Sequence, residues 1–171
     1  ILRQDPDIIM IGEIRDAETA EHAVRAALVG RIVFSTIHAN SSIGTVARLI
    51  DMKIERSLVA YALNGVIATR LVKKNCEACK EEYVPSKEYL AYFPYDLSKS
   101  KFYKGRGCDV CEGLGFLGRI GIFEVLEFDS QFRSMIVAGA SMSELQKYID
   151  TNGTKMLRDD ALEKVLLGTV S

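Results

Sequence analysis

Four cysteines are the most chemically pointed residues of this chain. They form two C-x-x-C pairs, Cys76 with Cys79 and Cys108 with Cys111, separated by 28 residues. Each pair can place two thiolates on one ion, and two pairs complete a tetrahedron. That is the ligand set of a structural zinc site, with no position left open for a substrate. Iron, two disulfides or four free thiols are the alternatives. No secretory leader is visible, which counts against disulfides. A metal here would pin residues 80–107, which hold too few apolar side chains to fold well alone.

The second chemical feature is a carboxylate at the end of an apolar run. Residues 7 to 16 read DIIMIGEIRD, so Glu13 follows Ile8, Ile9, Met10, Ile11 and Gly12. A charge left unpaired in an apolar interior is expensive, so Glu13 must sit at an exposed strand end or face a cation. Nucleotide hydrolases present a carboxylate in this way beside Mg²⁺ or the attacking water. A solvated strand-end cap is the plainer alternative. A second polar tip, STIHAN at residues 35 to 40, ends another apolar run and carries His38. If the two runs are parallel neighbours, their carboxyl ends share one edge, and Glu13 and His38 meet in one crevice. A hydrogen-bonded surface histidine is the alternative for His38. Arg15 and Asp16 are expected to form a local ion pair of small value. His22 reads as a solvated helix residue.

The elements around these residues follow α/β grammar. Asp5-Pro6-Asp7 is a turn before a buried strand at Ile8 to Ile11. The Ala- and Glu-rich stretch after Asp16 is a helix stopped by Gly30. RIVFSTIHAN is a second buried strand, and Ser41 or Ser42 caps a helix reaching about Met52. Residues 56–74, with Leu58, Ala62, Val66, Ala68 and Leu71 in register, suggest a third helix that Gly65 weakens. GRIGIFEVLEF, residues 118–128, is a returning strand. Short helices follow at about 129–138, 142–150 and 154–167, the second opened by a Ser141/Glu144 capping box. Continuous apolar strands separated by helices imply a parallel sheet. The segment GLGFLG, residues 113–118, matches G-x-G-x-x-G but leads into a strand and opens no helix. Its glycines serve tight turns after the second cysteine pair.

The totals exclude several classes. The chain has 171 residues, 48% hydrophobic and 26% charged, with a net charge of −1. That composition builds a globular core and carries no global nucleic-acid signature. Residues 70–106 hold nine Lys/Arg against five Asp/Glu, an excess of four. A solvated basic face explains this, and a docking face for an acidic partner or a membrane surface is the alternative. No apolar run approaches the ~20 residues of a transmembrane helix. ILRQDP, which opens the chain without Met, reads as the interior of a longer protein.

Taken together, LRQDPDIIMIGEIRD, STIHAN, ALNGVIATRLVKKNC, the paired cysteines and GRIGIFEVL resemble the secretion ATPases. These are the type II secretion and type IV pilus assembly motors and their DNA-uptake relatives. The resemblance implies part of a RecA-like P-loop NTPase core, a parallel sheet flanked by helices. It also implies an inserted zinc-binding subdomain and a C-terminal helical segment. The expected division is 1–72 for the core, 73–118 for the tetracysteine subdomain, and 119–171 for the returning strand and helices. IIMIGEIRD resembles the family's atypical Walker B motif, with Glu13 acidic and Gly12 on the nucleotide side. STIHAN resembles its histidine box, with His38 near the γ-phosphate. Arg119 matches an arginine lying by the nucleotide base. The four cysteines match the zinc site of the assembly branch.

The implied parent is a homo-hexamer on the cytoplasmic face of the inner membrane. It would use ATP and Mg²⁺ to move a membrane platform protein. Departures are Arg31, where the family often has His, and Thr69, where it often has Gln. No G-x-x-x-x-G-K-[ST] occurs in the sequence. The chain is therefore expected to be about half of such a motor and inactive alone. The competing readings are a zinc-stapled interaction module without catalysis and a zinc-ribbon nucleic-acid binder. The small charge excess and the lack of an aromatic stacking face disfavour the latter.

Overall fold

The apolar run at Ile8 opens a parallel strand pair. In a computed structural model of the chain, which describes residues 5–93, 95–97 and 99–171, β1 (Ile8–Ile14) lies beside β2 (Ile32–Ile37). Ile8 stands opposite Ile32 and Met10 opposite Phe34. Between Ile11 and Ile14 the register slips, with three steps on β1 against two on β2. The extra residue is a bulge at Gly12 and Glu13, which bends the strand end. The crossover helix α1 (Ala17–Leu28) starts where Asp16 Oδ1 accepts from the Thr19 N–H at 2.8 Å. It stops before Gly30, whose φ of 90° suits glycine. Asp16 is thus a helix cap, and the expected Arg15–Asp16 pair is not its role.

These strands are covered on one face only among the described residues. Ile9 is buried, whereas Ile8, Met10, Ile32 and Phe34 are 55–80% exposed. The sequence reading of fully buried strands fails here because α1 covers one side and no described element covers the other.

The described chain groups into two compact units. The first comprises residues up to Ala68 together with Glu124–Thr154. In it, α2 (Ser42–Asp51), α3 (Arg56–Ala62), α5 (Ser130–Val137) and α6 (Met142–Thr151) pack with the strand pair and α1. Apolar spacing puts Val46, Val59, Phe132, Ile136, Leu145 and Ile149 inside. Phe132 meets Phe128 edge-on at 5.1 Å and stacks on Tyr148 at 5.8 Å. The Ser141/Glu144 capping box forms as expected, with the Ser141 N–H donating to Glu144 Oε2 at 2.7 Å.

The helix expected over 56–74 ends at Ala62. From Gly65 the chain is strand β3 (Gly65–Asn75), paired with β6 (Phe116–Glu127). Bonds from Cys76 N–H to Gly115 O and from Phe128 N–H to Asn64 O make the pair antiparallel. Gly65 and the β-branched Val66, Ile67, Thr69 and Val72 favour the pleat over the helix. The chain passes between the units within these two strands, so the expected segment 119–171 is divided between them.

The second unit comprises Thr69–Phe123 and Lys155–Ser171. Here β4 (Lys80–Tyr83) and β5 (Phe102–Gly105) form an antiparallel pair, with the short helix α4 (Lys87–Leu90) between them. Phe102 packs with Leu97 and with Leu162, Val165 and Val170 in and after α7 (Leu157–Leu166). Asp160, buried on α7, accepts from the Phe123 N–H at 2.9 Å and pairs with Lys155 and Lys164. Burial opposes ionisation of Asp160. The two lysines and the Phe123 N–H outweigh it and hold the carboxyl below the usual carboxylate range.

Candidate functional site

Glu13 stands on the β1 bulge, one residue before the strand ends. Its side chain is 19% exposed, so most of the carboxylate is out of water. Cations meet it. Arg15 Nε lies 2.5 Å from Oε2, and His38 Nε2 lies 2.6 Å from Oε1, though not aligned as a hydrogen bond. His38 follows β2 directly and is 93% exposed. The parallel register brings the two carboxyl ends together, as the sequence predicts. Thr36 Oγ1 donates to Gly12 O at 2.8 Å and ties the strand tips. A Cβ at Gly12 would meet nothing within 4 Å, so the space over that turn is open.

Glu13, Ile14, Arg15, His38 and Arg48 line a cleft of about 200 Å³. One carboxylate, two guanidiniums and an imidazole can hold a polyanion and orient a water beside it. Sequence reading placed Arg48 on a helix but missed its part in the cleft, which only folding brings about. Arg119 lies exposed on β6 in the second unit and is not among the cleft residues. His22 is solvated beside Glu18, as expected.

The four cysteines converge in the second unit, with all sulfurs within 4.8 Å of one another. The Cys76–Cys108, Cys79–Cys111 and Cys108–Cys111 Sγ separations are 3.9, 3.8 and 3.7 Å. A tetrahedron with Zn–S bonds of about 2.3 Å has edges of about 3.8 Å, so the donor set fits that ion. The thiols are free of disulfides. Burial pushes Cys79 up to about 12. At Cys111 burial is outweighed by the Cys108 and Gly115 N–H groups, and the thiol falls to about 6. Donors aimed at sulfur favour the thiolate that a metal needs.

Gly113, Gly115 and Gly118 have φ of 76–79°, as expected of glycines that turn the backbone after the second cysteine pair. A Cβ on Gly105 would sit 1.9 Å from Gly115 O, and one on Gly107 would sit 2.5 Å from Gly113 O. Backbone thus presses on backbone where the two cysteine pairs meet.

The family described as type II/IV secretion system protein matches residues 1–171. This chain belongs to that family. Its similarity is 45% identity over the whole chain with type II secretion system protein E of Pseudomonas aeruginosa, and 34% of that protein is covered. It is 44% identical over 98% of the chain to the type IV pilus assembly ATPase PilB of Thermus thermophilus, covering 19% of it. The chain therefore spans about a third or less of these relatives, short of the half expected. Proteins of known structure share the fold. The pilus retraction motor PilT with bound ADP aligns with a TM-score of 0.67 at 24% identity, over 99% of this chain and 38% of that one. The Yersinia pseudotuberculosis ATPase DotB aligns at 0.68 and 21%, over 99% and 36%. The α/β fold of the secretion ATPases is thus the fold of this chain.

Proposed function

We propose that this chain is the part of an ATP-hydrolysing secretion or pilus assembly motor that carries its acidic strand end and histidine box. The observation that supports it best is the meeting of Glu13 and His38 at one edge of a parallel strand pair, with Arg15 and Arg48 beside them. Glu13 would accept a proton from, or orient, the water that attacks the γ-phosphate. His38 would face that phosphate and report its loss to α2. Gly12 leaves room at the strand tip, and Arg119, which the resemblance sets by the nucleotide base, is not among the residues of this cleft. Mg²⁺ would neutralise phosphate charge. This is catalysis by positioning and electrostatics, with no covalent intermediate.

Cys76, Cys79, Cys108 and Cys111 would hold a structural Zn²⁺. The sequence has no phosphate-binding glycine loop of the G-x-x-x-x-G-K-[ST] type, so the 171 residues alone would not hydrolyse ATP. The parent would act as a homo-hexamer at the cytoplasmic face of the inner membrane, against a membrane platform protein. No helix among the described residues is long and apolar enough to cross a membrane.

The test is Glu13→Gln in the full-length parent. ATP binding should persist while turnover falls by at least ~10²-fold. Turnover within twofold of the parent would refute the role. A second reading, a zinc-stapled interaction module, is favoured for the isolated chain by its closed four-thiol centre, which leaves no open coordination position.

A further inference from the structure

A carboxylate to which the sequence reading gave no role lies in the interior of the first unit. Glu124, on β6, is 2% exposed. Its Oε1 accepts from the Ser42 N–H at 3.1 Å and from Ser42 Oγ. Ser42 is the first residue of α2, and Ser41 already caps that turn, its Oγ accepting from the Gly44 N–H at 3.2 Å. The turn is therefore held twice, once by its own cap and once by a buried charge 82 residues away in sequence.

A cap alone does not require this. Burying a carboxylate is costly, and an apolar side chain at 124 would fill the space more cheaply. What the carboxylate adds is a charge-assisted, directional hold on one peptide N–H, aligned with the helix dipole. Only Ala39, Asn40 and Ser41 separate Ser42 from His38. Four Cα steps join Ser42 to His38 and span at most about 14 Å, so the start of α2 is a short tether on His38. His38 is almost wholly exposed and has little packing of its own to fix it.

We propose that Glu124 is a positioning residue, which anchors the start of α2 and thereby holds His38 against Glu13. This rests on the reading of Glu13 and His38 as the hydrolytic pair. Burial places Glu124 on the inner side of α2, so it acts through Ser42 and touches no substrate.

The test is steady-state ATP hydrolysis by the full-length hexamer carrying Glu124→Ala, Glu124→Gln, Ser42→Ala or His38→Ala, with thermal unfolding of each. Glu124→Ala should lower kcat per folded hexamer by about 10- to 100-fold, the scale of a misplacement near 1 Å. KM for ATP should stay within about twofold, because the binding contacts are elsewhere. Glu124→Gln, which keeps an acceptor oxygen for Ser42, should recover most of the loss. Ser42→Ala removes one donor without emptying the core, and it should lower kcat in the same sense even if Glu124→Ala does not assemble. Unchanged kcat in Ser42→Ala, and in Glu124→Ala where that variant assembles, with a lowered unfolding temperature, would show a purely structural residue and overturn the proposal. So would a parallel rise in KM. If His38→Ala is fully active, the reading of His38 itself fails. If His38→Ala is inactive while the Glu124 variants are active, only the positioning role fails.

Discussion

Removing metal from the four-cysteine centre should loosen one part of the second unit and leave the first unit intact. Cys79 and Cys108 enclose 28 residues, and their sulfurs belong to one cluster with edges of 3.7–3.9 Å. Treating the metal as a cross-link across that loop, the chain-entropy relation gives about 3.6 kcal/mol at 25 °C for a loop of this length. That is a ceiling, because the Phe102 cluster and the β4–β5 ladder persist in part without the ion. At 1.36 kcal/mol per decade the ceiling corresponds to about 400-fold faster exchange of the amides that depend on the closure. The assay is amide hydrogen exchange on the purified protein before and after chelation, read by peptide. Peptides within residues 73–118 should lose protection by tens- to several hundred-fold. Peptides from β1, α1 and α2 should not change. Equal protection of 73–118 with and without metal would refute the reasoning, since the centre would then contribute no closure.

Further outcomes follow from other contacts. Asp160→Asn should cost about 1.5–3 kcal/mol at pH 7, the worth of hydrogen bonds to a charged group. Because the folded carboxyl titrates below the unfolded one, that stability is present above about pH 4 and is lost as pH falls through the folded value. Denaturant melts of both proteins should therefore converge in acid. Gly105→Ala should force the two cysteine pairs apart, since its Cβ would lie 1.9 Å from Gly115 O. Metal content per chain, measured by atomic emission, should drop. Phe132→Ala empties a site at 0% exposure between Phe128 and Tyr148 and should cost about 3–5 kcal/mol in chemical denaturation.

Much of the fold was legible because short-range rules govern it. Ser41 and Ser141 cap helices where the sequence signals caps, whereas Asp16, read as a partner of Arg15, proves to be the cap of α1. The parallel β1–β2 pair follows from two apolar runs separated by one helix. The misreading at 56–74 has a local cause. Leu58, Ala62, Val66, Ala68 and Leu71 fit a helical period. Beyond Gly65, however, alternate residues also fit a strand, and the partner strand β6 decides between them. A period of two and one of 3.6 overlap over so few residues, and only the partner breaks the tie.

The sequence by itself determined the residue types of both candidate sites. The cysteine spacing specified a four-thiol ligand set, and the order of motifs along the chain placed Glu13 and His38 on neighbouring strand ends. Only the tertiary structure decided the rest. The bulge at Gly12 and Glu13 turns that carboxylate toward Arg15 and His38. Arg48 joins the cleft from α2. Glu124, to which the sequence reading gave no role, is buried and accepts from the first residue of a helix 82 residues away in sequence. These are contacts between residues far apart in the chain, and local preference does not encode them. They exist because burial brings the groups together and a buried charge must then find donors.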